Sequence, residues 1–187
     1  MTSRHPKRQR GLVLVTSLLM LVLVTILAIG MFRSFGVDEK IAGNMREKQR
    51  ALNAAETAEQ FAESYLSSGT VAAATTCTLP PANSNVVQVC SSTLQAQGFD
   101  PAVLNWPAQV NYIPTTMALP TTGTGSYYKN PAYYIGFITS TNNPATGFTT
   151  SFYQIDAVGY GGSSNTAAVV EATYQISSVS KNLYANQ

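Results

Sequence analysis

Histidine is almost missing from this chain of 187 residues: His5 is the only one, and it lies in the basic leader MTSRHPKRQR. A chain that loses the leader keeps none, which excludes Ser–His–Asp and Cys–His catalysis and the usual zinc ligand set. Cysteine is nearly as scarce. Cys77 and Cys90 are spaced too far apart for a CxxC redox pair, and no further Cys or nearby His completes a metal site. The nine acids do not gather after the helical part, where Asp100, Asp156 and Glu171 are scattered. Adjacent strands could bring Asp156 and Glu171 together, but strand alternation places both on a solvent face, as polar decoration. There is no GxxxxGK[ST] loop and no EF-hand loop. Gly159-Tyr160-Gly161-Gly162 follows one strand-like run and precedes another, so it reads as a hairpin turn and not a nucleotide loop. No catalytic residues, metal ligands or cofactor site emerge, and an enzymatic role ranks last.

Basic charge is also absent where it would matter for nucleic acid. The net charge is +2, but Arg4, Lys7, Arg8 and Arg10 all precede Gly11. Without these four of eleven cations, seven face nine acids, a balance of about −2. No basic field remains for a nucleic-acid partner.

What the chain does have is one long apolar run, Gly11 to Phe32, GLVLVTSLLMLVLVTILAIGMF, free of charge. Roughly 20 residues at ~1.5 Å rise cross a bilayer as a helix. The basic leader orients it with the N-terminus cytoplasmic and the remainder exported. In an oxidising compartment, Cys77 and Cys90 are best read as a disulfide, closing a loop worth about 3 kcal/mol in the chain-entropy model.

Helical periodicity continues beyond the apolar run. From Arg33 to about Leu66, the residues Ile41, Met45, Leu52, Ala55, Ala58, Ala62 and Tyr65 recur at three- and four-residue steps. No Pro interrupts them, and Ala favours helix. The expectation is one helix of about 55 residues, roughly 80 Å long, with Gly30, Gly36 and Gly43 as its weak points. After Ser67 the segment SSGTVAAATTCTLPPANSN reads as a loop. Strand-like runs follow at Ala108–Ile113, Tyr133–Thr139, Phe152–Val158 and Ala168–Val179, the last two alternating. Short turns between them predict an antiparallel meander, apolar on one face. That face needs a cover, and the amphipathic half of the helix is the only large one in the sequence. The fold class is α+β, a long helix packed on a C-terminal antiparallel sheet.

The stretch at residues 10–59 carries a family resemblance. RGLVLVTSLLMLVLVTILAIGMFRS, then DEKIAGNMREKQRALNAAETAE, resembles the N-terminal region of PilX-type minor pilins of type IV pili. The head, by contrast, resembles that family only in kind, through a Cys pair, Tyr-rich strands and a closing hairpin. The resemblance implies a prepilin leader at 1–11, a membrane or filament-core helix at 12–33, its amphipathic continuation at 34–66 and a periplasmic head at 67–187. It implies that prepilin peptidase cuts after Gly11 and that Leu12 becomes the N-terminal, methylated residue. At the fifth mature position most pilins carry Glu, whose partner is a neighbour's N-terminal ammonium, and this chain has Thr16. A subunit without that acid fits the leading end of a filament, where no earlier subunit waits to be paired. On a plain membrane anchor, Thr16 would need no explanation.

The implied function is a minor pilin that primes pilus assembly at or near the tip, supporting adhesion or twitching motility. Its partners would be the inner membrane, prepilin peptidase, other minor pilins, the major pilin and a tip adhesin. Ten tyrosines suit protein interfaces. Tyr153 and Tyr174 are expected to pack the sheet against the helix. Tyr127 and Tyr128, with Arg46 and Arg50 on the helix, form the candidate interaction surface. Three other readings stay open at this point. They are a type II secretion pseudopilin, a periplasmic binding domain on a plain anchor, and a soluble domain released by cleavage after Gly30.

Overall fold

A computed structural model describes residues 10–69, 71, 73–77, 86–104, 106–113 and 125–179. Residues 1–9 of the leader expected at 1–11, and most of the loop expected after Ser67, lie outside the described residues. The chain divides into two compact units between Met45 and Arg46.

Helix α1 runs Arg10–Ser67, 58 residues, and remains helical through Gly30, Gly36 and Gly43. In the first unit its large apolar side chains from Leu12 to Phe32 are 44 to 76% exposed. Ile41 and Met45 are exposed too, so the buried stripe does not begin where the periodicity placed it. It begins in the second unit with Ala51 and continues through Ala54, Ala55, Ala58, Ala62 and Leu66. Alanine dominates that stripe because the helix backbone comes very close to the sheet. A Cβ on Gly159 would lie 2.1 Å from the Ala51 carbonyl oxygen and 2.3 Å from the Ala55 nitrogen.

The sheet has four strands in sequential order: β1 (Val110–Asn111), β2 (Ala132–Asn143), β3 (Phe148–Tyr160) and β4 (Ala167–Val179). All pairings are antiparallel. The last three are the expected meander, each longer than the alternation suggested. Strand β1 is only two residues long, a remnant of the strand expected over Ala108–Ile113. A register shift between Phe137 and Thr139 leaves Ile138 unpaired at a bulge. The β2–β3 turn closes on Gly147 at φ 69°, a left-handed conformation that glycine adopts without steric penalty.

The inner face of the sheet packs on the helix. Ala58, Ala62, Leu66, Val89, Val110, Tyr133, Ile135, Ile155 and Ala157 form that core, with Tyr153 and Tyr174 against its margin. The outer face is covered as well, which overturns the expectation of a single apolar face. Cys77, Cys90, Leu94, Trp106 and Ala108 pack there on Ala132, Tyr134, Val158 and Tyr160. This second layer is tied to the sheet by backbone bonds. The Cys90 N–H donates to the Ile135 carbonyl at 2.8 Å, and the Phe137 N–H donates to the Cys90 carbonyl at 2.7 Å. Thr75 pairs with Cys90 in turn, and Cys77 and Cys90 are disulfide-bonded with their Cα atoms 5.3 Å apart. Two short 3-10 turns, Gln95–Gln97 and Pro101–Val103, complete the cover.

Asp156 is therefore not solvent decoration. It is fully buried on the outer face, and Gln154 beside it is 8% exposed. Strand β3 alternates as its sequence predicts, but its second face looks into a second core. Asp156 is the cross-strand partner of Glu171, and only Glu171 is exposed.

Candidate interaction and assembly site

Helix α1 presents its apolar segment first. Gly11 and Leu12 lie in its first turns, and Leu12 is exposed. The Thr16 hydroxyl donates to the Val13 carbonyl at 3.0 Å, so its polar group is satisfied within the helix. Ser17 and Thr25 do the same with Leu14 and Val22, at 2.9 and 2.8 Å. Each polar side chain in the run is thus compatible with an apolar surround. Among the described residues, this helix alone is long and apolar enough to cross a membrane, and none of its most apolar stretch is buried.

The second unit places Arg50 and Tyr127 together. The Arg50 guanidinium lies 4.5 Å from the Tyr127 ring centroid and donates to the carbonyls of Gly125 and Ser126. It also pairs with Glu47 at 2.8 Å, one helical turn away. Glu47 in turn accepts the Gly162 N–H at 2.6 Å. That backbone bond, with Arg50, holds the Glu47 carboxyl below its usual range. The pair thus clasps two loops of the head against the helix, the 125–127 segment and the β3–β4 turn. Arg46 is exposed one residue before Glu47.

Tyr128 points elsewhere and is 46% exposed. Its N–H donates to the Gly161 carbonyl at 2.7 Å, and its ring meets Tyr160 edge-on at 6.0 Å. The structure so separates the candidate surface into a clasp (Arg50, Tyr127) and exposed groups (Arg46, Tyr128). The part played by Glu47 and Gly162 was missed. Gly159–Gly162 was legible only as a turn, and a turn signal does not say what docks on it.

The outer layer holds a polar network. The Tyr134 hydroxyl donates to the Ser92 carbonyl at 2.8 Å and accepts from the Gln97 amide. The Gln154 amide donates to Gln95 at 2.8 Å and to Asp156 at 3.2 Å, while Gln95 donates to Glu171 at 2.9 Å. Burial pushes the Asp156 carboxyl up to about 6 despite the Gln154 bond. Among the described residues, no three His, Cys, Asp or Glu side chains group as metal ligands.

A family model described as PilX N-terminal matches residues 10–58, and one described as type IV pilus assembly protein PilX C-term matches residues 67–176. No curated protein and no solved structure matches the chain. The second match spans the disulfide-tied cover and nearly the whole sheet, where the residues alone showed a likeness only in kind. An apolar helix fit for single-pass anchoring leads into the α+β head, and the two matches follow the same division. The chain thus belongs to the PilX family of type IV pilus assembly proteins, structural minor pilins that work with other pilus components.

Proposed function

We propose that the chain is made as a membrane-held precursor with a leader at 1–11, cut after Gly11 by prepilin peptidase and methylated on Leu12. Residues 12–33 then form the membrane and filament-core segment, 34–66 its continuation, and 67–187 the head, which faces the periplasm before assembly. The observation that carries this reading is the exposure of every large apolar side chain from Leu12 to Phe32. A surface of that kind is stable only in lipid or against neighbouring helices. Assembly exchanges the first environment for the second, so one segment serves as anchor and as polymerisation surface.

Thr16 supports a place at or near the tip. A carboxylate at this depth is costly unless paired, and a subunit without one joins the filament with no neighbour's ammonium to satisfy. From that position the head would contact other minor pilins and a tip adhesin, in support of adhesion or twitching motility. Arg46 and Tyr128 are the exposed groups offered to those contacts.

Mass spectrometry of the chain from piliated cells tests the processing. The expected N-terminus is Leu12 carrying one methyl group, and retention of residues 1–11 would overturn the reading. Immunogold labelling of the head should mark filament ends, and uniform labelling along the shaft would exclude the tip position. Deleting the gene should remove surface pili.

A further inference from the structure

A polar cleft of about 330 Å³ opens beside Tyr128, away from the Arg50 clasp. Its lining is Gln109, Asn111, Tyr128, Lys129, Asn130, Ala132 and Tyr160. Three of these are carboxamides, each offering donors and an acceptor in one plane. Two are tyrosines: Tyr160 is buried, and the Tyr128 ring meets it edge-on. The Lys129 ammonium sits 5.4 Å from the Tyr128 ring and 5.8 Å from the Tyr160 ring, and among the described residues no carboxylate lines the cleft.

One member of this set is unsatisfied. The Gln109 side-chain oxygen is buried and accepts no hydrogen bond among the described residues. A buried acceptor left unpaired costs about 1–3 kcal/mol. Gln109 lines the cleft and the terminal torsion of Gln is soft, so reorientation of the amide toward a bound ligand would let a ligand hydroxyl donate to that oxygen.

We infer that this cleft binds a pyranose sugar bearing a carboxylate. The Tyr128 face matches the C–H face of a sugar ring, the carboxamides match its hydroxyls, and Lys129 is placed for the carboxylate. The volume is at the small end of ligand sites, about 300–1,000 Å³, enough for a sugar ring. A peptide partner fits less well. An anchor pocket for a peptide side chain is apolar, and among the described residues of the lining Ala132 is the only aliphatic one. The two rings already meet edge-on, so less is lost on immobilising them. This inference does not rest on tip placement or on processing at Gly11.

The test is saturation-transfer NMR on the full chain in lipid nanodiscs, with glucuronate, glucose and a triglutamate peptide as separate probes. Transfer to glucuronate should exceed transfer to glucose. Tyr128→Ala should weaken glucuronate binding tenfold or more, and Gln109→Leu, close in volume, should weaken it several-fold. Lys129→Gln should abolish the preference for glucuronate over glucose while leaving glucose binding in place. An unchanged thermal midpoint identifies each variant as folded, and the exposed Tyr128 and Lys129 make two such variants available. Absence of transfer to glucuronate overturns the inference, as do equal transfer to both sugars and indifference to these substitutions. Transfer to the peptide in place of the sugars would assign the cleft to an acidic protein segment.

Discussion

The two faces of the sheet are built from the same three strands yet are closed by different means. On the inner face, a helix of alanines lies so near that Gly159 can carry no side chain. On the outer face, an irregular segment is tied down by the Cys77–Cys90 disulfide and by two backbone bonds at Cys90. There Gly136 is the point of closest approach, where a Cβ would lie 2.7 Å from the Thr93 Cα. A helix satisfies its own backbone and can be laid on as a unit, whereas an irregular cover must find partners residue by residue. That is why the outer layer carries the polar network and the buried carboxylate.

The contrast can be broken most severely at the helix. Gly159→Val should destabilise the head by about 3 kcal/mol or more, because the colliding atoms are helix backbone and cannot rotate away. Thermal unfolding of the full chain in nanodiscs measures this, and a near-neutral result would mean the helix–strand contact is looser than described. Next comes the outer cover: replacing Cys77 and Cys90 with Ser should cost about 3 kcal/mol in the loop-closure model. Proteolysis should then begin within residues 86–104, leaving the β2–β4 meander protected longer.

Asp156 sharpens the comparison through pH. Its ordinary value is 3.8 and burial raises it to about 6 in the folded chain. Between those values the folded chain holds a proton that the unfolded chain has lost, so stability falls as pH rises through that window. The groups facing the carboxyl are Gln154, Tyr134 and Glu171 on the sheet, with Gln95 reaching in from the cover. Asp156→Asn should flatten the profile and stabilise the chain at pH 7 by about 2 kcal/mol. An unchanged profile would place the titration elsewhere. Glu47 acts with the opposite sign: its lowered value contributes stability that is lost as pH falls below its ordinary 4.5. The smallest expected effect is at the clasp. Arg50→Lys keeps the charge but loses the planar contact with Tyr127 and one of the two carbonyl bonds, a change of about 1 kcal/mol. It should also free the 125–127 loop, seen as faster amide exchange there.

Much of the inner half was legible in the sequence because it depends on repeats. The steps from Ala55 to Ala62 and the alternation from Phe152 to Val158 each report one face of one element. Ile41 and Met45 mislead, since periodicity marks a stripe without saying where its cover begins. Asp156 misleads for a related reason: alternation tells which residues share a face, and burial of that face depends on Leu94 and Trp106, distant in sequence and without period. The Glu47–Gly162 bond spans 115 positions and left no pattern that either segment shows alone.

By itself, the sequence determined a long apolar helix, an amphipathic continuation and an antiparallel meander. These are local properties, set by hydropathy and residue type at fixed spacings. Only the tertiary structure decided that the sheet has two cores, that Asp156 lies in one of them, that Arg50 holds the head to the helix, and that amides and tyrosines meet in a cleft. Those outcomes depend on segments far apart in the chain being brought together, and no single stretch of residues encodes its own neighbour.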